Sequence, residues 1–191
     1  TKKEEKMKST NKRNSIRGLL LLVLAFFPLS LSGKQPSEAS IQFTVEHPLK
    51  TVEGMCRNPV VSGLDYTYDG QFQLKGPFKV TVPYKDMKTG NGNRDSHMME
   101  VLGYPDHTAV VATITEAEPA AEGLRIAGAL SINGVNMLFR TLASLKQDQG
   151  SIVISGTARI RLSDFHVERP SLLGMSVEDQ VNISYRFKLP K

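Results

Sequence analysis

The sequence predicts an all-β domain of long antiparallel strands. Three observations carry this: apolar and polar residues alternate with period two over most of the chain, turn-forming dipeptides separate the alternating runs, and only one short segment has a helical pattern. Ile41, Phe43 and Val45 alternate with Gln42, Thr44 and Glu46. Phe78, Val80 and Val82 alternate with Lys79 and Thr81. Leu124, Ile126, Leu130 and Ile132, then Ile152, Ile154, Ala158 and Ile160, and finally Val181, Ile183, Tyr185, Phe187 and Leu189 repeat the pattern. Strands with one buried and one wet face favour antiparallel pairing.

Turn chemistry divides these runs. Asp69-Gly70, Asn133-Gly134 and Gln149-Gly150 sit between them, and Asn133-Gly134 is the strongest hairpin signal. Eight or nine strands are expected, over about 41–47, 51–56, 60–68, 72–83, 108–116, 124–132, 135–143, 151–161 and 180–189, the fourth either continuous or split at Gly76-Pro77. A short helix is expected over 93–102, and 163–179 reads as an irregular loop with a helical turn. This pattern leaves a sandwich or a closed barrel. A barrel of about eight strands fills its interior with side chains or holds one small ligand. The small residues Gly128, Gly156 and Ala158 on inward positions suit a cavity, and the glycines equally suit strand coiling.

The N-terminal region reads differently. Met7 is followed by Lys8, Lys12, Arg13 and Arg17, by an apolar run from Leu19 to Phe27, by Pro28, and by Ser30-Leu31-Ser32. That order is the pattern of a cleaved secretory signal over 1–32. A retained anchor is the competing reading. The apolar stretch Leu19 to Leu31 falls short of the roughly 20 residues a spanning helix needs. Residues before Met7 read as preceding the natural start. Gly33 to Ser40 reads as a flexible linker and 41–191 as one domain. The expected location is periplasmic or secreted.

Charge excludes one class of function. The chain has 24 basic and 19 acidic residues. Seven of the basic and two of the acidic residues lie in 1–32, which leaves 17 of each sign in the rest. A nucleic-acid binder needs a cationic surplus on one face, so none is expected here. The single cysteine, Cys56, excludes an intramolecular disulfide and a cysteine-rich zinc site.

The densest polar cluster runs from Thr89 to His97. Its Gly90 and Gly92 lack the Lys-Ser/Thr and the strand–loop–helix context of a phosphate loop. Asp95 and His97 are an acid–base pair by type, yet no nucleophile is placed by spacing. The structural reading has Asn93 or Asp95 capping the helix and Arg94 tying the loop to a strand end. His47, His97, His107 and His166 have no zinc-site spacing. Ser163, Asp164 and His166 have the residue types of a catalytic triad, but near-consecutive residues cannot form its geometry. No catalytic residue, metal or cofactor is assigned.

Four blocks together resemble the YceI-like, lipid- or polyisoprenoid-binding domain family. They are Phe43-Thr44-Val45 with Val52-Glu53-Gly54; Thr89-Gly90-Asn91 with Arg94-Asp95-Ser96-His97-Met98 and Tyr104-Pro105; Gly128 to Val135; and Leu162 to Phe165 with Pro170 to Gly174, ending in Asp179 to Ile183. Two positions depart: His166 stands where many members have glycine, and Asn136-Met137 replaces the usual residues after Gly-Val. The resemblance implies an eight-stranded, lipocalin-like antiparallel barrel around an elongated apolar cavity, and no catalysis. On strand parity, Phe43, Val80, Val110, Ile126, Leu130, Ile154, Ile183 and Tyr185 are expected to line it, with Phe165 and Leu173 from the adjacent loop. Arg94 and His97 are expected at the mouth. The expected ligand is a polyisoprenoid, quinone-like or similar long-chain lipid. A homodimer is plausible by resemblance only. The alternative is an interaction module with a filled barrel, meeting an envelope partner through loops 84–107 and 163–179.

Overall fold

The computed structural model describes residues 33–191. The signal-peptide reading of 1–32 lies outside them. The strands are β1 (Glu38–His47), β2 (Lys50–Cys56), β3 (Val60–Ser62), β4 (Tyr66–Tyr68), β5 (Phe72–Leu74), β6 (Phe78–Pro83), β7 (Ala109–Ala120), β8 (Gly123–Ile132), β9 (Val135–Asp148), β10 (Ser151–Arg161), β11 (Ser171–Leu172), β12 (Met175–Ser176) and β13 (Gln180–Pro190). The helix α1 spans Gly92–Val101.

Nine strands form one curled antiparallel sheet in the order β2-β1-β13-β10-β9-β8-β7-β6-β3. Its rims approach through one isolated bridge. The Met55 amide donates to the Lys88 carbonyl and the Lys88 amide to the Met55 carbonyl, both at 2.9 Å. The main sheet therefore has nine strands, one more than the resemblance implies.

Local chemistry accounts for the turns. Asn133 and Gly134 both hold positive φ, 49° and 74°, between the paired Ile132 and Val135. Such two-residue turns match the twist of the strands they join. The run 60–68 is broken at Gly63, whose φ is 75°, into β3 and β4. The run 72–83 parts at Gly76-Pro77, because proline has no amide to give the ladder. The resulting β4–β5 hairpin leaves the main sheet and stops one end of the barrel. There Tyr66 stacks on Phe72 at 5.1 Å, and the Tyr66 hydroxyl donates to the Pro190 carbonyl. Leu64, Tyr66 and Phe72 pack with Ile152 and Leu189 in one core cluster.

Residues 33–40 are a fixed segment, in contrast to the linker the composition suggests. The Lys34 amide donates to Leu64 O at 2.7 Å and the Ser37 amide to Lys188 O at 2.8 Å. β1 begins at Glu38 because β13 offers its edge there, in the register Glu38↔Lys188. Backbone pairing overrides small, polar composition.

The opposite end is stopped by α1 and the 3-10 turn Ser163–Phe165. Tyr84, Leu102, Ile132, Phe165 and Val167 form a second core cluster there. The loop 163–179 also holds a small hairpin, β11–β12. The buried His47 ring fastens it: Leu49 N donates to Nδ1 at 3.1 Å, so Nε2 carries the proton and donates to Met175 O at 3.0 Å.

Candidate functional site

Within the curled sheet lies a cavity of about 510 Å³. Val80, Ile126, Leu130, Ile154, Ile183 and Tyr185, all expected at the lining, do face it. They do so because β6, β8, β10 and β13 turn one parity inward. Phe72 and Phe78 from β5 and β6, Phe139 from β9 and Phe187 from β13 complete much of the apolar wall.

A second, smaller chamber of about 180 Å³ lies toward α1. It takes Phe43, Val110 and Phe165 from the expected lining, together with Arg94 and His97. Ile160 and Ile183 line both chambers, so they form the partition. Leu173 lines neither. It is 81% exposed at the β11–β12 tip with φ 53°, since the hairpin lifts it away from the barrel.

The polar cluster at 89–97 is a locked loop. Asn91 caps α1 through its side chain, accepting from Arg94 N at 3.0 Å, in place of the expected Asn93 or Asp95. Asp95 Oδ1 accepts from the Thr89 amide at 2.9 Å and from the Thr89 hydroxyl. The Arg94 guanidinium donates to Thr89 Oγ1 at 2.9 Å and Thr89 O at 2.6 Å. Arg94 and Asp95 therefore spend their polar groups on Thr89. His97 is exposed and reaches only Glu100, at 3.4 Å. The one hydroxyl bonded to Asp95 among the described residues is that of Thr89, which Arg94 also holds, and no hydroxyl or thiol is bonded to His97; no group of three metal-ligating side chains occurs among those residues.

The glycines resolve toward close approach. A Cβ on Gly128 would run into the Thr113 carbonyl across β7, and one on Gly156 would collide with the Tyr185 hydroxyl. The Phe43 ring covers Gly54 in the same way. Ala158, by contrast, faces the main chamber.

The main chamber reaches the surface through the side of the sheet. β9 and β10 pair from Ser151↔Asp148 to Gly156↔Ala143 and then stop, although both strands continue. Beyond that point Phe139, Arg140 and Thr141 stand on one lip and Thr157, Ala158 and Arg159 on the other, and all six line the cavity. Thr141 Oγ1 donates to Thr157 O at 2.9 Å, at the crotch where the strands part. Sequence parity missed these lips because Arg140, Thr157 and Arg159 have outward parity. The signal available was the run Met137 to Leu142, where apolar residues fall on both parities and one-sided burial fails.

Among the described residues, Tyr185 carries the one buried side-chain polar atom, its Oη, that makes no hydrogen bond of ordinary geometry. Burial pushes its pKa upward, against a smaller downward influence of the neighbouring Thr141 hydroxyl, so the Tyr185 hydroxyl stays protonated and able to donate.

A curled antiparallel sheet stopped at both ends around an apolar chamber defines a lipocalin-like barrel. The chain belongs to the YceI-like domain family, whose model matches residues 34–189. Solved structures agree with the fold. The Burkholderia cenocepacia BcnA structure matches at TM-score 0.66 and 14% identity, covering 78% of this chain and 95% of that one. A polyisoprenoid-binding domain from Saccharophagus degradans, described as implicated in plant cell wall breakdown, matches at TM-score 0.59 and 12% identity, covering 80% and 94%. The Campylobacter jejuni YceI protein matches at 0.61 and 19%, covering 74% and 86%. Among curated protein sequences no significant match is found.

His166 holds φ 54° at the end of the Ser163–Phe165 turn. Glycine takes that conformation without cost, whereas a side chain is strained there.

Proposed function

We propose that this chain is an exported, non-enzymatic protein that holds the tail of a polyisoprenoid or similar long-chain amphiphile in its main chamber. The observation that carries the reading is the cavity itself. Its volume of about 510 Å³ lies within the roughly 300–1,000 Å³ of small-molecule sites, and aromatic and aliphatic side chains dominate its wall. Desolvating a tail there contributes about 0.8 kcal/mol per buried methylene before the costs of binding. The polyisoprenoid binding named for the Saccharophagus degradans domain supports the ligand class, and the basic–apolar–small order of residues 7–32 supports export. The locked Thr89–Arg94–Asp95 loop supports a non-catalytic reading.

The test is expression of the full chain with its own N-terminal segment, recovery from the envelope fraction, and native mass spectrometry followed by extraction of any bound molecule. A stoichiometric isoprenoid or quinone is expected. A bare protein that also ignores added isoprenoids would overturn the reading. It would instead favour an interaction module acting through loops 84–107 and 163–179, where Tyr104, Leu172 and Leu173 are exposed.

A further inference from the structure

We infer that the parted seam between β9 and β10 is the ligand's doorway and that Arg140 and Arg159, one on each lip, bind an anionic head group. This inference rests on the cavity reading above and adds to it the charge of the ligand and the place where its head sits.

The register makes the case. Gly156 pairs with Ala143, so continuing the ladder would set Thr157 against Leu142, Ala158 against Thr141 and Arg159 against Arg140. Two like charges directly opposite each other in an antiparallel pair repel. The ladder ends before it reaches them. The remaining ladders of both strands continue past this point, Arg140 with Ala127 and Arg159 with Asn182. The parting is thus local to the seam that the two arginines flank.

Charge chooses the head. Among the described residues, Arg140 and Arg159 are the only charged ones that line the main chamber. Among the described residues neither forms an ion pair or a side-chain hydrogen bond, and both are exposed. An apolar chamber with two unpaired guanidinium groups and no carboxylate at its mouth fits an amphiphile with a phosphate or carboxylate head. A planar guanidinium matches the oxygens of either head in bidentate fashion. The Tyr185 hydroxyl supplies a third, inner donor. It lies over Gly156, the last paired residue of β10 before the seam, and is buried without a partner. A buried, unsatisfied hydroxyl in a native structure calls for an explanation, and an oxygen of the incoming ligand provides one.

The test compares geranylgeraniol with geranylgeranyl phosphate, which share a tail and differ in the head. The full chain, stripped of ligand, is titrated with each, for the native protein and for Arg140→Gln/Arg159→Gln. A folded near-UV spectrum is required of the variant. The native protein is expected to prefer the phosphate about tenfold, in line with exposed charge-assisted pairs. The double variant is expected to lose the preference while keeping its affinity for the alcohol. Arg140→Lys/Arg159→Lys should retain part of it, and Tyr185→Phe should weaken both ligands alike. Alcohol binding without a phosphate preference, or a preference that survives in the double glutamine variant, would overturn the head-group assignment and leave the cavity reading intact. Failure of both ligands to bind the native protein would overturn both. Inorganic phosphate alone is expected not to compete. Competition by it equal to that of the amphiphile would show a free-anion site and overturn the assignment to a lipid head.

Discussion

Replacing Ala158 by phenylalanine puts a ring into the main chamber at the lip beside Arg159, without touching a turn, a cap or either arginine itself. Ala158 lines the chamber and pairs with Ile183. A benzene ring fills a dry cavity of roughly 150 Å³. The new side chain therefore takes somewhat under a third of the 510 Å³. Six carbons of protein displace about six carbons of tail, worth up to about 5 kcal/mol at ~0.8 kcal/mol each. Sliding the tail toward the seam recovers part of that, so a loss of about 30–100-fold in isoprenoid affinity is expected. The empty protein should move the other way. Filling about 150 Å³ of void at ~24 cal/mol per Å³, less about 1–3 kcal/mol for crowding, leaves the variant about 0.5–2.5 kcal/mol more stable. Urea unfolding of the ligand-free protein and isoprenoid titration measure the two effects. Native affinity in a folded variant would refute the placement of the tail in this chamber.

Further outcomes follow from other parts of the structure. Gly54→Ala should cost about 1–3 kcal/mol in urea unfolding, because the new methyl occupies the space of the Phe43 ring. His166→Gly should stabilise by roughly 1 kcal/mol in the same assay by releasing the left-handed strain. The Asp179 carboxylate accepts from the Ser163 hydroxyl at 2.6 Å and amide at 2.9 Å, which holds its pKa below the ordinary 3.8. Its tether on loop 163–179 is complete above the ordinary carboxylate value and is lost as the pH falls through the lowered one. The protection of the Ser163 amide against exchange, taken by NMR relative to its intrinsic rate at each pH, should therefore fall in acid, and Asp179→Asn should remove that change in protection. Cys56 is 1% exposed, and burial pushes its thiol pKa upward, so alkylation should proceed only at the rate of unfolding.

Much of the barrel was legible because its physics is local. Period-two alternation set the faces of β1, β6, β8, β10 and β13, and Asn133-Gly134 set the β8–β9 turn in its true register. What escaped depended on partners distant in the chain. Residues 34–37 look like linker until β13 and Leu64 stand beside them. Leu173 is apolar, but a two-residue turn carries it outward. The expected lining was divided between two chambers because no single strand reveals the partition at Ile160 and Ile183. The seam was invisible for a similar reason: the opposition of Arg140 and Arg159 exists only once the β9–β10 register is known.

The pairing of β1 with β13 sets the order of assembly. Each contact in that ladder joins residues about 140–150 positions apart, so the N-terminal strand has no partner on that side until almost the whole chain has been made. Contacts so distant delay folding, since the entropy of a long loop must be lost before they form. The hairpins from β7 to β10 can zip early, and the first and last strands close the structure late. The same geometry places Glu38 and Lys188 side by side. Joining the ends through a short linker and opening the chain at the exposed Gln149-Gly150 turn should give a circular permutant with the same barrel and a shorter search.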